Sequence, residues 1–219
     1  MKYILSVITA FLLFTGSFAQ HDGLPAIPYI DEGQFSVHNQ TSFLLAIGAA
    51  VVSYGIAEFA QDHQNLNFLQ GRLGYKSGTD GYQIFIQNFG LGKTVAPWFA
   101  IAAEANVQEW TNGNNRGIGG GIMTYYRWYA FGNKKLSPYM EHGAGLFFGA
   151  TPFPANGSKF TFNLHTQLGL EYTLPKESRI RLSYGHIHQS NNGLFAANPG
   201  YAGNGLNLSY AHFLGRSSW

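Results

Sequence analysis

The chain contains no cysteine, which excludes a disulfide framework, a thiol nucleophile and a thiolate-bound metal. Charge is also scarce: Asp, Glu, Lys and Arg make up 11% of the 219 residues, and the formal net charge is only +2. So weak a positive charge gives no basis for nucleic-acid binding. Glycine and aromatic residues are abundant instead, at 28 residues and 16%. This composition is typical of a β-barrel that turns one face of every strand toward lipid.

The N-terminus has the pattern of a secretory signal peptide. Lys2 precedes an apolar run from Ile4 to Phe14, and small residues lead up to Ala19, so we expect cleavage before Gln20. We therefore divide the chain into a signal peptide (1–19), a periplasmic lead-in (20–65) and one barrel domain (66–219).

The lead-in contains a nearly uninterrupted apolar run, residues 43–59, whose length favours a helix over a strand. About 17 residues is the lower limit for crossing a bilayer as a helix, and Gly48 and Gly55 dilute the hydrophobicity. A helix that packs on the barrel or lies at the membrane interface is the preferred interpretation.

From residue 66 onward the sequence alternates with period two between recurring turn signals, which is a strand pattern. In the sixth such stretch, Phe162, Leu164 and Leu168 share one face. Asn163 and His165 share the other. Several stretches reach about ten residues, enough to cross a bilayer when tilted. We predict eight strands, near 66–76, 80–90, 97–110, 118–131, 137–150, 159–174, 178–190 and 203–214.

The connections between these strands alternate in length. Short ones are predicted at 91–96, 132–136 and 175–177, and longer ones, rich in Asn, Gly and Pro, at 111–117, 151–158 and 191–202. Short periplasmic turns and longer external loops characterise outer-membrane barrels. The predicted fold is therefore all-β, an eight-stranded antiparallel transmembrane β-barrel of the bacterial outer membrane, whose seventh strand runs outward.

The alternation also assigns side chains to the two faces of the barrel. An eight-stranded barrel has an interior just wide enough for side chains to fill, which disfavours a porin. We predict a polar plug from the charged residues of interior parity, namely Arg127, Glu141, Glu171 and Arg181. Three aromatic residues are predicted to lie in the interfacial girdles, namely Tyr126, Trp128 and Tyr172.

The segment 184–193 carries the residues that suggest chemistry. His188 and Ser190 are two residues apart on a strand, so both side chains point to one face. That face also carries Leu182 and Tyr184 and would meet lipid, so a histidine base and serine nucleophile there would act on a lipid ester. His186 and His188 have the spacing of a metal-binding pair, but no third ligand is evident, and we expect neither a metal nor another cofactor.

The residues from His188 to Gly193, together with Asn198-Pro-Gly200, resemble the PagL-like lipid A 3-O-deacylase (acyloxyacyl hydrolase) family. The resemblance implies an outer-membrane serine esterase that removes the 3-O-linked acyl chain from lipid A of lipopolysaccharide, its partner in the outer leaflet. It further implies that His188 is the general base and Ser190 the nucleophile, and that Asn191 and Gly193 form the oxyanion hole.

The family's third catalytic member, a glutamate at the start of the last strand that orients the histidine, is missing. If the loop has two extra residues, Asn204 takes its place, while an ungapped count gives Ala202. We prefer Asn204, because it shares the lipid-facing parity of Leu206 and Leu208. An asparagine can accept a hydrogen bond from His188, but it cannot supply the negative charge that stabilises an imidazolium.

A different class of function stays open beside the esterase. The missing acid and the long Asn/Gly loops also suit a non-enzymatic small barrel with a structural or adhesion role, or an inactive family member. The sequence also leaves open which acyl ester is cleaved and whether the protein forms a homodimer.

Overall fold

The computed structural model describes residues 66–214, except 114, 133, 176–177, 192–193 and 195–198. The expected signal peptide, the lead-in and its apolar run 43–59 lie outside the described residues, as do Gly193 and Asn198. Within the described part of the chain, no helix is long and apolar enough to cross a membrane.

Eight antiparallel strands form a closed barrel in which each strand pairs with its neighbours in sequence and the last pairs with the first. A three-residue 3-10 turn, Thr79–Gly81, joins the first two strands. The strands are β1 (Leu66–Gly78), β2 (Gln83–Ala96), β3 (Phe99–Thr111), β4 (Arg116–Tyr129), β5 (Leu136–Phe153), β6 (Ser158–Leu174), β7 (Ser178–Ser190) and β8 (Tyr201–Phe213). The predicted eight-stranded all-β barrel is confirmed.

Two predicted connections need correction, because the strands extend into them. Residues 91–96 belong to β2, and only Pro97 and Trp98 separate that strand from β3. Gly90 and Gly92 have no side chain to mark a face, and the register shifts between Thr94 and Ala96, so the alternation is lost there although pairing continues. Similarly, β5 continues to Phe153, which shortens the next outer connection to residues 154–157.

The barrel interior contains paired charges. Among the described residues the ion pairs are Arg72–Glu104, Arg72–Glu141, Arg127–Glu141, Arg179–Glu171 and Arg181–Glu171. All of these side chains are buried. A buried charge is tolerated when it is paired and hydrogen-bonded. The predicted polar plug of Arg127, Glu141, Glu171 and Arg181 is therefore confirmed, and it also includes Arg72, Glu104 and Arg179.

The outer wall is apolar and exposed, the reverse of a water-soluble core. Leu182 and Tyr184 of β7 and Leu206 of β8 are 54%, 58% and 55% exposed, as expected for side chains that meet lipid. The girdle prediction fits the exposed Tyr172 but is wrong for Trp128, which points outward yet is buried in a cluster with Phe99 and others. The period-two alternation of the sequence shows whether a side chain points into the barrel or outward. It does not show whether other side chains cover an outward residue such as Trp128.

Candidate active site

The outer end of β7 holds its alternate side chains in opposite directions. Ile187 and Gln189 point inward and are fully buried, and Gln189 Nε2 donates a hydrogen bond to Gln108 Oε1 on β3 at 2.5 Å. These inward anchors leave His186, His188 and Ser190 half-buried on the outward face. The structure thus places His188 and Ser190 on the lipid-facing side, in agreement with their two-residue spacing.

The strand order places this pair near the outer leaflet. The start of β1 and the end of β8 lie at one end of the barrel, where Phe68 pairs with Phe213. Chain termini in outer-membrane barrels are periplasmic. Ser190 is the last residue of β7, at the opposite end. The pair therefore lies at the membrane level of the outer leaflet.

Aromatic packing inside the barrel supports this end of β7. Ile187 joins a buried cluster in which the Tyr201 ring lies 5.3 Å from Phe153 and 6.4 Å from Tyr82, centroid to centroid. The backbone N–H of Ala155 donates to the Tyr82 hydroxyl at 2.8 Å, which ties the β5–β6 connection to the same cluster. The wall that carries the candidate pair is therefore backed by a packed apolar layer at the outer mouth of the barrel.

The β7–β8 register determines which residue faces His188. Ala202 is the partner of His188, and Asn204 is the partner of His186. The Asn204 Oδ1 atom lies 3.2 Å from His186 Nδ1. The prediction that Asn204 orients His188 therefore needs correction, because Asn204 contacts His186 instead. Face parity could not decide between Ala202 and Asn204 as the neighbour of His188, because both residues point to the same face. Pairing β7 with β8 residue by residue would have identified Ala202.

Ala202 is held firmly in its place opposite His188. The Thr79 hydroxyl donates to the Ala202 carbonyl at 3.0 Å and accepts from the Ala202 N–H at 3.1 Å. The short turn after β1 thus fixes the first residues of β8. Sequence reasoning missed Thr79, because nothing in its local sequence indicates a contact 123 residues away. The residue opposite His188 is thus the one that the ungapped count gave, and it carries only a methyl group.

The connection between β7 and β8 passes beside the candidate base. Gly200 has a φ of 61°, the left-handed conformation that glycine adopts without strain. A side-chain carbon at this glycine would lie 3.8 Å from His188 Cε1, so the backbone closely approaches the imidazole. Asn191 is buried, and its carbonyl accepts a hydrogen bond from the Leu194 N–H at 3.1 Å. The oxyanion-hole role of Asn191 and Gly193 stays a prediction.

Metal binding finds no support in the part of the chain that the structure describes. No group of three or more His, Asp or Glu side chains is arranged there to hold an ion. The His186 Nδ1 atom, half of the pair with metal-like spacing, is already within hydrogen-bonding distance of Asn204. The chemistry that this outward surface can perform is that of imidazole, hydroxyl and amide groups.

Known proteins provide an independent comparison. The crystal structure of the outer membrane enzyme PagL is 15% identical, with 65% of this chain and 97% of that chain covered and a TM-score of 0.49. Neisserial surface protein A is 12% identical, with 68% of this chain and 96% of that chain covered and a TM-score of 0.48. The N-terminal barrel domain of Pseudomonas aeruginosa OprF is 14% identical, with 68% of this chain and 99% of that chain covered and a TM-score of 0.42. No curated protein sequence matches the chain.

The model of one protein family covers most of the barrel. The lipid A 3-O-deacylase (PagL) family matches residues 80–211, more than half of the chain. The match includes β7, β8 and the connection between them, and hence His188, Ser190 and Ala202. This chain therefore belongs to the lipid A 3-O-deacylase family, and it is a β-barrel of the bacterial outer membrane.

Proposed function

We propose that this protein is a serine esterase that removes the 3-O-linked acyl chain from lipid A. The observation that carries the proposal is the joint placement of His188 and Ser190 on the outward wall, at the outer end of β7. A base and a nucleophile are of use on that surface only if the substrate is a lipid in the outer leaflet. Family membership supports ester hydrolysis as the reaction.

In the proposed reaction, Ser190 Oγ attacks the ester carbonyl carbon while His188 removes the hydroxyl proton. The oxyanion that forms accepts hydrogen bonds from donors at Asn191 and Gly193. His188 then protonates the leaving 3-hydroxyl oxygen of the sugar, and an acyl-serine remains. Water, deprotonated by the same histidine, hydrolyses the acyl-serine and releases a free fatty acid.

The wall below the candidate pair suits an acyl chain. Leu182 pairs with Leu208, and Tyr184 pairs with Leu206, so apolar side chains of β7 and β8 form a continuous outward surface below His186. Each of these four side chains is about half exposed. A fatty acyl chain lying along this surface stays in the hydrocarbon layer while its ester reaches the level of Ser190.

Lipid A analysis tests the proposal directly. The full chain is expressed in a bacterial host without a lipid A deacylase, and its lipid A is examined by mass spectrometry. We expect lipid A to lose the mass of one 3-O-linked hydroxyacyl chain and the corresponding fatty acid to appear. Heat-dependent gel migration shows whether the barrel is folded in these cells. Unchanged lipid A in cells that contain the folded barrel would overturn the proposal.

A second candidate function rests on the residue opposite the base. Ala202 supplies no charge to His188, which suits an inactive family member that serves as a structural or adhesion barrel. In that case lipid A stays intact, and changing His188 leaves every phenotype of the protein unaltered. The lipid A experiment thus separates the two candidates.

Restoring an acid opposite His188 is expected to accelerate the enzyme. Ala202→Glu places a carboxylate on the outward face beside the imidazole, where it stabilises the imidazolium, and we expect turnover to rise about 10- to 1,000-fold. The matched control is Asn204→Glu, which adds the same charge opposite His186. The measurement is initial rates on lipid A in detergent. If Asn204→Glu accelerated the reaction and Ala202→Glu did not, the position assigned to the acid would be wrong.

A further inference from the structure

One stripe of the outer wall is shielded although its side chains point away from the lumen. Phe99, Trp128, Met140, His142 and Ala144 have outward register, yet their exposures are 0%, 2%, 7%, 8% and 9%. Phe99 pairs with Trp128, and Trp128 with Met140, so the stripe, called here the covered stripe, runs obliquely across β3, β4 and β5. On the opposite side of the barrel, Leu73 of β1 has the same orientation and is 50% exposed.

The centre of the covered stripe is polar, which does not suit contact with hydrocarbon. His142 Nδ1 lies 2.9 Å from the Thr166 hydroxyl of β6. Polar groups facing lipid tails are costly, and in membrane proteins they are found where protein covers them. Ala144 and Thr166 are also small, so a neighbouring backbone can approach closely here.

We propose that residues 43–59 of this same chain pack as a helix along the covered stripe. A helix of that length extends about 25 Å at 1.5 Å per residue, more than the roughly 13 Å that separates Met140 from Ala144 along β5. Small residues recur at helical spacing along one side of the run, at Ala46, Ala50, Ser53 and Ala57. A helix face of small residues lets the helix backbone approach the larger side chains of the stripe, and such close packing drives association in lipid.

The connection to β1 is long enough for this placement. Residues 60–65 link the run to Leu66 and span about 20 Å when extended. Leu66 pairs with Thr94 on β2, and Thr94 pairs with Ala100 on β3, next to Phe99. The lower end of the covered stripe is therefore two strand spacings, about 10 Å, from the start of β1. The covering helix reaches its place without crossing the barrel mouth.

Cysteine pairing tests the proposal cleanly, because the chain contains no cysteine of its own. Ala144→Cys is combined in turn with Ala46→Cys, Ala50→Cys, Ser53→Cys and Ala57→Cys in the full chain. Outer membranes are oxidised, and disulfide-linked peptides are quantified by mass spectrometry. Disulfides require Cβ atoms about 3.5–4.5 Å apart. The matched controls replace Ala144→Cys with Leu73→Cys on the opposite wall.

We expect at least one of the four segment positions to crosslink within a single chain to Ala144→Cys at least tenfold more than to Leu73→Cys. Equal or absent crosslinking at both walls would overturn the proposal. A disulfide between two chains, recognised by its dimer mass, would assign the stripe to a second copy instead. Met140→Cys replaces Ala144→Cys if the latter prevents folding. None of these outcomes depends on whether the protein hydrolyses lipid A.

Discussion

Ser190→Ala is expected to lower the rate of lipid A deacylation at least ~1,000-fold while the barrel stays folded. The change removes the atom that attacks the ester. The inward side chains that anchor this end of β7, Ile187 by packing and Gln189 by its hydrogen bond to Gln108, stay in place. The measurement is release of 3-hydroxy fatty acid from lipid A by purified protein, with heat-dependent gel migration as the test of folding.

Three further variants serve as comparisons for Ser190→Ala. Because a base and a nucleophile act as one unit, His188→Asn is expected to reach a similar residual rate, and the double variant to fall no further. Thr111→Ala removes a hydroxyl from the outer end of β3, away from the candidate site, and is expected to leave the rate unchanged. A Ser190→Ala enzyme that retains more than about a tenth of the activity would exclude serine catalysis at this position.

Glu141→Ala is expected to lower the free energy of unfolding by about 3–5 kcal/mol, the cost of breaking a buried ion pair by removing one partner. Glu141 is fully buried and receives hydrogen bonds from Arg72 Nη1 at 2.5 Å and from Arg127 and Gln167. Its loss removes the carboxylate that pairs with Arg127 and leaves Glu104 as the carboxylate that pairs with Arg72.

Urea unfolding in lipid vesicles, followed by tryptophan fluorescence, measures this effect. Glu141→Gln keeps the volume and some of the hydrogen bonds, so we expect a smaller loss than for alanine. Glu109→Ala removes an exposed carboxylate from β3 and is expected to change stability by about 0.5 kcal/mol or less. Equal unfolding midpoints for Glu141→Ala and Glu109→Ala would mean that the lumen charges do not hold the barrel together.

The fold could be predicted where side chains mark the faces of a strand. β7 has the predicted bounds, 178–190, because polar inward and apolar outward residues alternate through most of its length. The prediction failed at 91–96, where Gly90 and Gly92 interrupt the alternation while backbone pairing continues. Backbone hydrogen bonds do not depend on side-chain pattern, so a strand can persist where its sequence signal ends.

The candidate site divides in the same way. A spacing of two residues is a local property, and it was enough to place His188 and Ser190 on one outward face. The partner of His188 is a property of two strands at once. Only the β7–β8 pairing places Ala202 opposite His188 and Asn204 opposite His186, and only the contact from Thr79 explains why Ala202 is held there.

The sequence by itself thus determined the period-two alternation, the number of strands and the two-residue spacing of the candidate base and nucleophile, because each arises from neighbours along the chain. The tertiary structure alone decided the cross-strand register, the ion pairs that fill the lumen and the shielding of Trp128 on the outer wall. The register, the ion pairs and the shielding depend on which residues, distant in sequence, are brought together when the barrel closes. No local sequence pattern encodes those contacts.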